Sequence, residues 1–356
     1  MDRSLHALVV GTGYAGRQHV DALRQLRGVD IAATSTSAER AREGAAALAM
    51  PIFDDGFEPH LDWADVVHVC TRIDRHAPVA AAALEAGKHV ICEKPLAADV
   101  ASARELARLA AAAGRVAVLA HNYRFFPLVA EFAARVAGGA LGTPHLVRGH
   151  FLQDRLLRER DTEDGGIGIA RIVADLGSHW IDLAELIARA RVESVIARAT
   201  PHVPRAAASG DGQGALLFRL GEHLPATFVV SQIAAGHVND LELSVDGADA
   251  SATWRNERPD ELSIASAGGV RTVVARDALA SPHRDELAGW ATGANASRRN
   301  LIRAAYAVIG GERKSASLPV PLPTFDDGVH LLEVAFAARE SVRAGGWIEL
   351  APSAAR

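Results

Sequence analysis

The chain has 356 residues, of which 49% are apolar and 23% are charged, and its formal net charge is -5. This length exceeds what one hydrophobic core usually supports, so we expect two domains. The lack of a basic surplus argues against a nucleic-acid partner. Because no run approaches the roughly 18 apolar residues of a membrane helix, and the start does not resemble a signal peptide, we expect a soluble cytoplasmic protein.

The first third of the chain alternates short apolar runs with alanine-rich helical patterns, which predicts βαβ units around a parallel sheet. The runs are continuously apolar, as expected of strands that are covered on both faces. Gly87 and Gly114 follow two of the helical patterns, at points where a left-handed residue commonly ends a helix. The predicted strands are 5–10, 29–33, 64–70, 89–92 and 116–120, and the clearest helices are 78–86 and 98–113.

A glycine-rich segment follows the first predicted strand and leads into a run with helical spacing. Its sequence is Gly11-Thr12-Gly13-Tyr14-Ala15-Gly16. Strand, glycine turn and helix in this order are the context of the dinucleotide-binding fingerprint. The glycines allow a tight turn and a close approach of the pyrophosphate, and the helix N-terminus supplies amide donors. We predict that these six residues bind a dinucleotide, the alternative being a plain strand-to-helix turn.

The end of the second predicted strand carries hydroxyl groups where a carboxylate usually holds the adenosine ribose. The residues there are Ser35, Thr36 and Ser37, with Arg40 close behind. Hydroxyls beside an arginine can accept a 2′-phosphate, which a carboxylate would repel. The segment therefore favours NADP over NAD without excluding NAD. The alternative is that Ser37 only caps the helix that follows it.

A lysine lies directly after the predicted strand 89–92, within Glu93-Lys94-Pro95. Open α/β sheets bind ligands at the carboxyl ends of their strands. There, Lys94 can hydrogen-bond a substrate hydroxyl and favour its oxyanion, while Pro95 restricts the turn that presents it. The alternative is an exposed lysine without a catalytic role.

The apolar pattern of the sequence changes after residue 127, from continuous apolar runs to runs in which apolar and polar residues mostly alternate. Alternation with polar turns predicts a largely antiparallel sheet. We predict helices at 127–136, 174–189 and 326–344, the last preceded by a proline-rich linker. The predicted strands are 145–153, 193–199, 215–220, 227–233, 242–245, 262–265, 272–275 and 347–350.

The predicted helix 174–189 brings acidic and imidazole side chains together. At about 100° per residue, Asp175, His179 and Asp182 lie on one narrow stripe, beside an apolar stripe. Two acids that flank a histidine can orient its ring and make it a general acid or base near neutral pH. The alternative is a solvated helix face with an incidental histidine.

Two further features of the sequence are weaker evidence of function. Asn122 and Arg124 follow the fifth predicted strand, where they suit a cleft but also suit hinge packing. Cys70 and Cys92 each end an apolar run, so we expect buried, inert thiols rather than a disulfide. Neither a Cys/His cluster with metal-ligand spacing nor a Gly-x-Ser-x-Gly elbow is present, so no metal and no acyl-enzyme serine are predicted.

Together these segments resemble the glucose-fructose oxidoreductase / inositol dehydrogenase / MocA family of NAD(P)-dependent oxidoreductases. The likeness spans most of the chain and is carried by 11–16, 86–96, 122–125 and 175–182. It implies an α/β fold: a Rossmann domain with a doubly wound parallel sheet at 1–124, and an α+β domain with an open, mainly antiparallel sheet at 125–356. It also implies a homodimer or homotetramer, often formed through that open sheet.

The resemblance also implies catalytic and substrate-binding roles. Lys94, Asp175 and His179 match residues that act at the reacting carbinol, and Asp182 matches a position that binds substrate hydroxyls. We expect Arg124, Lys94 and His179 to contact the substrate as well. The segment 151–168, which borders the pocket in the family, looks shorter and less aromatic than in related sugar dehydrogenases, so the substrate stays open.

The cofactor-binding set implied by the resemblance extends beyond the glycine loop. Thr71 and His76 lie in the loop that usually lines the nicotinamide side, and we expect Glu93, Lys94 and Asn122 to contribute. The chain departs from the family at position 72, where arginine replaces the usual proline, and in the missing ribose-binding acid.

The sequence as a whole predicts an NAD(P)-dependent dehydrogenase or ketoreductase that acts on a secondary alcohol of a sugar, cyclitol or related polyol. Hydride would move between the nicotinamide C4 and the substrate carbon, with His179 exchanging the hydroxyl proton. One alternative is an enzyme that keeps a tightly bound cofactor and runs an internal redox cycle. A second is a non-catalytic, cofactor-sensing regulator.

Overall fold

The computed structural model describes residues 4–35, 38–53, 56–158, 169–201, 211–293 and 295–351. The chain forms two compact units, one of residues 1–125 and 290–329 and the other of residues 126–289 and 330–356. The division into domains 1–124 and 125–356 stays a prediction. The structure adds to it that the late segment 290–329 packs with the first unit rather than with the residues on either side of it.

The first unit contains a parallel sheet in the order β2-β1-β3-β4-β5. Within β3 every residue is buried, as continuous apolar character predicts for a sheet covered on both faces. The predicted Rossmann arrangement is confirmed, and the predicted bounds of the first and fourth strands match the structure. The strands are β1 Leu5–Val10, β2 Val29–Thr34, β3 Val66–Val69, β4 His89–Cys92 and β5 Ala117–Leu119.

The helices of the first unit lie between these strands, with one more in the late segment. Gly87 and Gly114 have φ of 70° and 58°, which confirms the predicted left-handed helix ends. Asp99 caps α4 by accepting a hydrogen bond from the Ser102 amide at 2.8 Å. The helices are α1 Tyr14–Leu23, α2 Ala38–Leu48, α3 His76–Glu85, α4 Val100–Ala113 and, in the late segment, Ala296–Ile309.

The second unit contains a sheet in the order β13-β12-β11-β10-β6-β9-β8-β7-β14. Among the described residues its neighbouring strands are antiparallel, except that β6 and β9 run parallel, so the predicted mainly antiparallel sheet is confirmed. The sequence missed β11. The strands are β6 Pro144–Leu152, β7 Val192–Pro201, β8 Asp211–Leu220, β9 Leu224–Ser231, β10 Asp240–Gly247, β11 Ala250–Arg255, β12 Arg258–Ser266, β13 Arg271–Ala275 and β14 Ile348–Glu349.

One helix of the second unit packs a tryptophan onto the sheet. The Trp180 ring stacks on Phe228 with 4.6 Å between ring centroids, and its Nε1 donates to the Glu242 carbonyl at 3.0 Å. The predicted apolar stripe of this helix is therefore buried. With the late helix of the first unit numbered α10, the remaining helices are α5 Pro127–Ala137, α6 Arg155–Arg158, α7 Ile169–Ile172, α8 Ser178–Ala188, α9 Arg284–Ala288 and α11 Phe325–Ala344.

The single α-helix predicted for 174–189 is corrected by the structure. Residues Val173–Gly177 form a π-helical turn, and α8 begins only at Ser178. Gly177 is a poor α-helix residue, and the Ser178 hydroxyl donates to the Ala174 carbonyl at 2.8 Å, which favours a local irregularity. Across this turn the advance of 100° per residue does not apply. The angular relation of Asp175 to His179 is therefore not that of a regular α-helix.

Within the ranges that the structure describes, no helix combines the length and the apolar character needed to cross a bilayer.

Candidate active site

The glycine loop contains two glycines that the fold itself requires. Gly11 has φ of 104°, and a Cβ there would lie 2.6 Å from the Cys70 carbonyl oxygen of the neighbouring loop. A Cβ on Gly16 would overlap the carbonyl oxygen of Gly11. Gly13 differs, because a Cβ there would meet nothing within 4 Å. The first and third glycines therefore close the turn, while the second faces open space.

A cleft of about 730 Å³ lies in front of this loop in the first unit. Gly13 precedes α1 without a side-chain cap, and the first amides of any α-helix have no intrahelical acceptor. The helix end therefore offers hydrogen-bond donors and a partial positive charge. The side chains that line the cleft include Arg17, Arg40, Arg72, Arg75 and Glu43.

The shape and donors of this cleft fit a dinucleotide. The open space at Gly13 admits a pyrophosphate close to the backbone, and the amide donors and arginines suit its negative charge. The predicted residues Gly11, Thr12, Gly13, Tyr14 and Ala15 all line the cleft, and Gly16 supports the turn from behind. Their contact with a cofactor stays a prediction.

The ribose end of the predicted site lies at the end of β2. Ser35 is 5% exposed and lines the large cleft, as does Arg40, and Thr36 and Ser37 lie outside the described residues. A smaller cavity of about 190 Å³ adjoins it, lined by Ser35, Arg75 and Glu58 among others. A hydroxyl and arginines thus share this end of the cleft, although an acid from another segment is present as well.

His76 joins two loops at the carboxyl ends of β3 and β4. Its Nδ1 lies 2.8 Å from the Pro95 carbonyl oxygen and its Nε2 lies 3.2 Å from that of Thr71. Burial lowers the pKa of His76, so the neutral ring donates to only one of these carbonyls, and the shorter distance favours Pro95. Thr71 lines the cleft, whereas His76 connects the loop of Thr71 to the loop that carries Lys94.

Lys94 is half-buried at the carboxyl end of β4, and its bond to Pro95 is cis. The neighbouring Glu93 is 7% exposed and accepts hydrogen bonds within the first unit. Its Oε1 lies 3.1 Å from His19 Nε2 and 3.1 Å from the guanidinium of Arg298, and its Oε2 lies 3.3 Å from the Lys94 amide. Despite burial, Arg298 and His19 lower the pKa of Glu93 to about 2. The Glu93 carboxylate is therefore ionised, and its oxygens are held by His19, Arg298 and the Lys94 amide.

The partners of Glu93 are the residues that sequence reasoning missed. His19 belongs to α1 and Arg298 to α10, and no motif in the sequence singles out either residue. The complete burial of His19, which is 0% exposed, and the pairing of Arg298 with Glu93 both depend on contacts between segments that are distant in the sequence. The one signal in the sequence for these partners is a histidine on the buried side of a helix. Helical periodicity alone predicts only that such a residue lies in the core.

Asn122 and Arg124 are both tied to the late segment of the first unit. The Asn122 amide donates to the Ser297 hydroxyl at 2.6 Å. Arg124 is 3% exposed, and its guanidinium lies 3.4 Å from the Asp327 carboxylate. These contacts favour the packing alternative that the sequence left open, while their predicted cofactor and substrate contacts stay predictions.

The second unit carries the remaining predicted residues. His179 is 9% exposed and Asp182 is 1% exposed on α8, and the His179 ring lies 6.2 Å from that of Phe151. Asp175, in the π-helical turn, accepts from the Gln232 amide at 3.2 Å and lies 3.7 Å from Arg155. The solvated-face alternative is therefore wrong for His179 and Asp182, because both are buried.

The two cysteines lie in the core of the first unit. Cys70 and Cys92 are 6% and 0% exposed, and both are free thiols. Burial raises the pKa of each thiol well above its usual range, which disfavours the reactive thiolate. The predicted burial is confirmed.

Comparison with known proteins matches both parts of the chain to one family. The model described as an oxidoreductase family with an NAD-binding Rossmann fold matches residues 5–121, and the GFO/IDH/MocA C-terminal domain matches residues 129–253. An uncharacterized oxidoreductase of Escherichia coli is 33% identical over 192 residues, which are 52% of this chain and 54% of that protein. The chain thus spans about half the length of this relative.

Two further likenesses cover more of the chain. Levoglucosan dehydrogenase of Pseudarthrobacter phenanthrenivorans is 26% identical over 318 residues, 80% of each protein. The solved structure of a levoglucosan dehydrogenase in complex with NADH and levoglucosan has a TM-score of 0.85 at 22% identity, covering 98% of this chain and 99% of that one. At that identity the structural likeness shows the fold. The two family models together establish that the chain belongs to the Gfo/Idh/MocA family of oxidoreductases with an NAD-binding Rossmann fold.

Proposed function

We propose that the protein is an NAD(P)-dependent dehydrogenase or ketoreductase of a secondary alcohol in a sugar, cyclitol or related polyol. The observation that carries this proposal is the cleft at the uncapped N-terminus of α1, with open space at Gly13 and arginines along its wall. Lys94 follows β4 at the sheet edge where α/β proteins bind ligands.

The cofactor and the side chains have different roles in the proposed reaction. When bound, a nicotinamide cofactor supplies hydride donor or acceptor chemistry. In the proposed reaction the Lys94 ammonium donates a hydrogen bond to the substrate oxygen, and the His179 imidazole takes up or returns its proton. Asp175 orients that imidazole, and Asp182 and Arg124 bind other oxygens of the substrate.

The sugar or cyclitol class is supported by the relatives rather than by a shape in this structure. A relative that matches four fifths of the chain is named for levoglucosan, an anhydrosugar. A protein of the same fold has been solved with levoglucosan and NADH. Buried ionisable and polar side chains on α8, such as His179 and Asp182, suit a substrate with several hydroxyls.

We also propose a preference for NADP over NAD. Ser35 after β2 and Arg40 on α2 support it, since neither repels a 2′-phosphate, and Arg75 lines the same region together with the acidic Glu58. NADH in the levoglucosan dehydrogenase complex shows that a protein of this fold also binds NAD, so both cofactors belong in the test. A cytoplasmic homodimer or homotetramer is the expected assembly, which light scattering of the purified protein measures.

The decisive experiment is a screen for cofactor turnover. The purified protein is incubated with NADH or NADPH and a panel of keto-sugars and cyclitol ketones, and with NAD or NADP and the matching alcohols, while absorbance of the reduced cofactor is followed. We expect turnover with one substrate class and faster turnover with the phosphorylated cofactor.

Two outcomes would contradict the proposal. A reduced-nicotinamide band in the purified protein that persists after gel filtration would indicate a tightly bound cofactor and an internal redox cycle. Binding of a cofactor without turnover of any substrate would favour a sensing role.

A further inference from the structure

A chain of polar side chains runs through the interior of the first unit and ends at Glu93. The Tyr306 hydroxyl lies 3.0 Å from His68 Nε2, and His68 Nδ1 lies 2.8 Å from His19 Nδ1. His19 Nε2 then lies 3.1 Å from Glu93 Oε1. Both histidines are 0% exposed, and Tyr306 is 6% exposed. Three elements, α10, β3 and α1, supply the chain, so it exists only in the folded unit.

The direction of every hydrogen bond in this chain follows from the charge at its end. Glu93 is ionised and can only accept, so His19 carries its proton on Nε2. Burial lowers the pKa of His19, so the ring is neutral and its Nδ1 accepts from His68 Nδ1. Burial also lowers the pKa of His68, whose Nε2 therefore accepts from the Tyr306 hydroxyl.

This chain is poorly suited to move a proton. Shifting protons along it would create a tyrosinate at Tyr306 and a protonated carboxyl at Glu93. Burial raises the pKa of Tyr306 well above 10, whereas the pKa of Glu93 lies at about 2, so the shift is strongly unfavourable. What the chain does provide is a fixed geometry, because each hydrogen bond from Tyr306 to Glu93 has a defined donor and acceptor, and Arg298 holds the same Glu93 oxygen.

Glu93 connects this chain of hydrogen bonds to the loop that carries Lys94. Glu93 Oε1 is held by His19 and by Arg298, while Glu93 Oε2 accepts from the Lys94 amide. The carboxylate thus links the buried chain to the backbone of the lysine itself. The His76 ring holds the same loop from the other side through the Pro95 carbonyl.

We infer that His19, His68 and Tyr306 are positioning residues, which use Glu93 to set the backbone of Lys94 at the end of β4. Helix α10, which belongs to the late segment that packs with the first unit, completes the arrangement by supplying Tyr306 and Arg298. The inference rests on the proposed role of Lys94 for its effect on catalysis, but not for the hydrogen-bond pattern.

The hydrogen-bond pattern is tested without any turnover. Nitrogen-15 NMR of protein labelled at its histidines distinguishes protonated from bare ring nitrogens, and loss of signals in His19→Gln and His68→Gln assigns them. We expect a neutral His19 protonated at Nε2 and a neutral His68 protonated at Nδ1. A doubly protonated His19, or a His68 protonated at Nε2, would overturn the pattern.

The positioning role is tested by two substitutions at one site. A glutamine at position 19 retains a donor for Glu93 and an acceptor for His68, whereas a leucine retains neither. In His19→Leu we expect kcat to fall between about tenfold and about a hundredfold, with the cofactor Kd unchanged because His19 does not line the cleft. In His19→Gln we expect kcat within about threefold of the wild type.

A control separates positioning from a general loss of stability. Ser341→Ala removes a buried hydroxyl that accepts from the Ala197 amide and donates to the Gly346 carbonyl, all within the second unit. It is expected to lower the melting temperature without changing kcat. Equal kcat losses in His19→Leu and His19→Gln, or none in either, would overturn the positioning role. If no substrate is turned over by the wild type, the proposed function fails while the NMR result still decides the hydrogen-bond chain.

Discussion

Gly16 lies so close to Gly11 that a side chain on Gly16 would overlap the carbonyl oxygen of Gly11. Gly13, between them, faces open space, and its φ of -70° is allowed for any residue. We therefore expect Gly16→Ala to destabilise the fold by about 2 kcal/mol or more, since neither backbone segment can yield easily. Chemical denaturation measures this loss.

Gly13→Ala should behave in the opposite way. Its methyl group projects into the cleft, so we expect near-normal stability and at least about a tenfold weaker affinity for NAD(P), because the pyrophosphate can no longer approach the backbone. Isothermal titration with each cofactor gives the affinity. Unchanged affinity in this variant would place the cofactor elsewhere.

Lys94 and Lys88 lie at opposite ends of β4, which makes them a matched pair. Lys94→Ala removes the proposed hydrogen bond to the substrate oxygen, and we expect kcat to fall by about 10² to 10⁴ with little change in cofactor affinity. Lys88→Ala removes the same charge from the other end of the strand and should leave kcat unaltered. Steady-state kinetics with both variants decides the assignment, and an active Lys94→Ala enzyme would refute it.

His179 has an exposed counterpart in the same unit. His223 is almost fully solvated, whereas His179 is buried on α8. We expect His179→Asn to lower kcat by about 10² or more, because asparagine cannot exchange the hydroxyl proton, while His223→Asn stays fully active. Similar activities of the two variants would remove His179 from the mechanism.

Ser35 lies where a carboxylate would select the unphosphorylated cofactor. Ser35→Asp introduces that carboxylate, and we expect the ratio of kcat/KM for NADP to that for NAD to fall by about tenfold or more through repulsion of the 2′-phosphate. Ser266→Asp on β12 adds the same charge in the other unit and should leave the ratio constant. If the buried site does not tolerate aspartate, Arg40→Ala tests the same preference, and an unchanged ratio in both variants would argue against it.

Glu93 makes the stability of the protein depend on pH. Its pKa is about 2 in the folded protein, against an ordinary value of 4.5, because Arg298 and His19 favour the ionised form. Its contribution is therefore fully present above about pH 4.5 and is lost as the pH falls towards 2, to a total of about 3 kcal/mol.

Urea denaturation between about pH 5 and about pH 3 measures this dependence. The free energy of unfolding of Glu93→Gln should fall less steeply with acidification than that of the wild type. Glu222→Gln, at an almost fully exposed side chain, is the control and should keep the wild-type slope. Parallel curves for Glu93→Gln and the wild type would show that the carboxylate is not held ionised.

Local patterns in the sequence were sufficient for much of the architecture. Continuous apolar runs such as 89–92 identify strands buried on both faces, and glycines such as Gly87 and Gly114 mark helix ends, because both signals depend on near neighbours. The strand, glycine loop and helix at residues 5–23 are predictable for the same reason.

Only the tertiary structure decided which distant groups meet. The π-helical turn before Ser178, where the Ser178 hydroxyl donates to the Ala174 carbonyl, is not anticipated by a fixed helical period. The packing of α10 with the first unit, and with it the pairing of Glu93 with Arg298, depends on contacts across about 200 residues of chain. By itself the sequence predicted most of the elements and pointed to Lys94. Only folding brought His19 and Tyr306 into the hydrogen-bonded chain that ends at Glu93, because hydrogen bonds between remote segments leave no periodic trace.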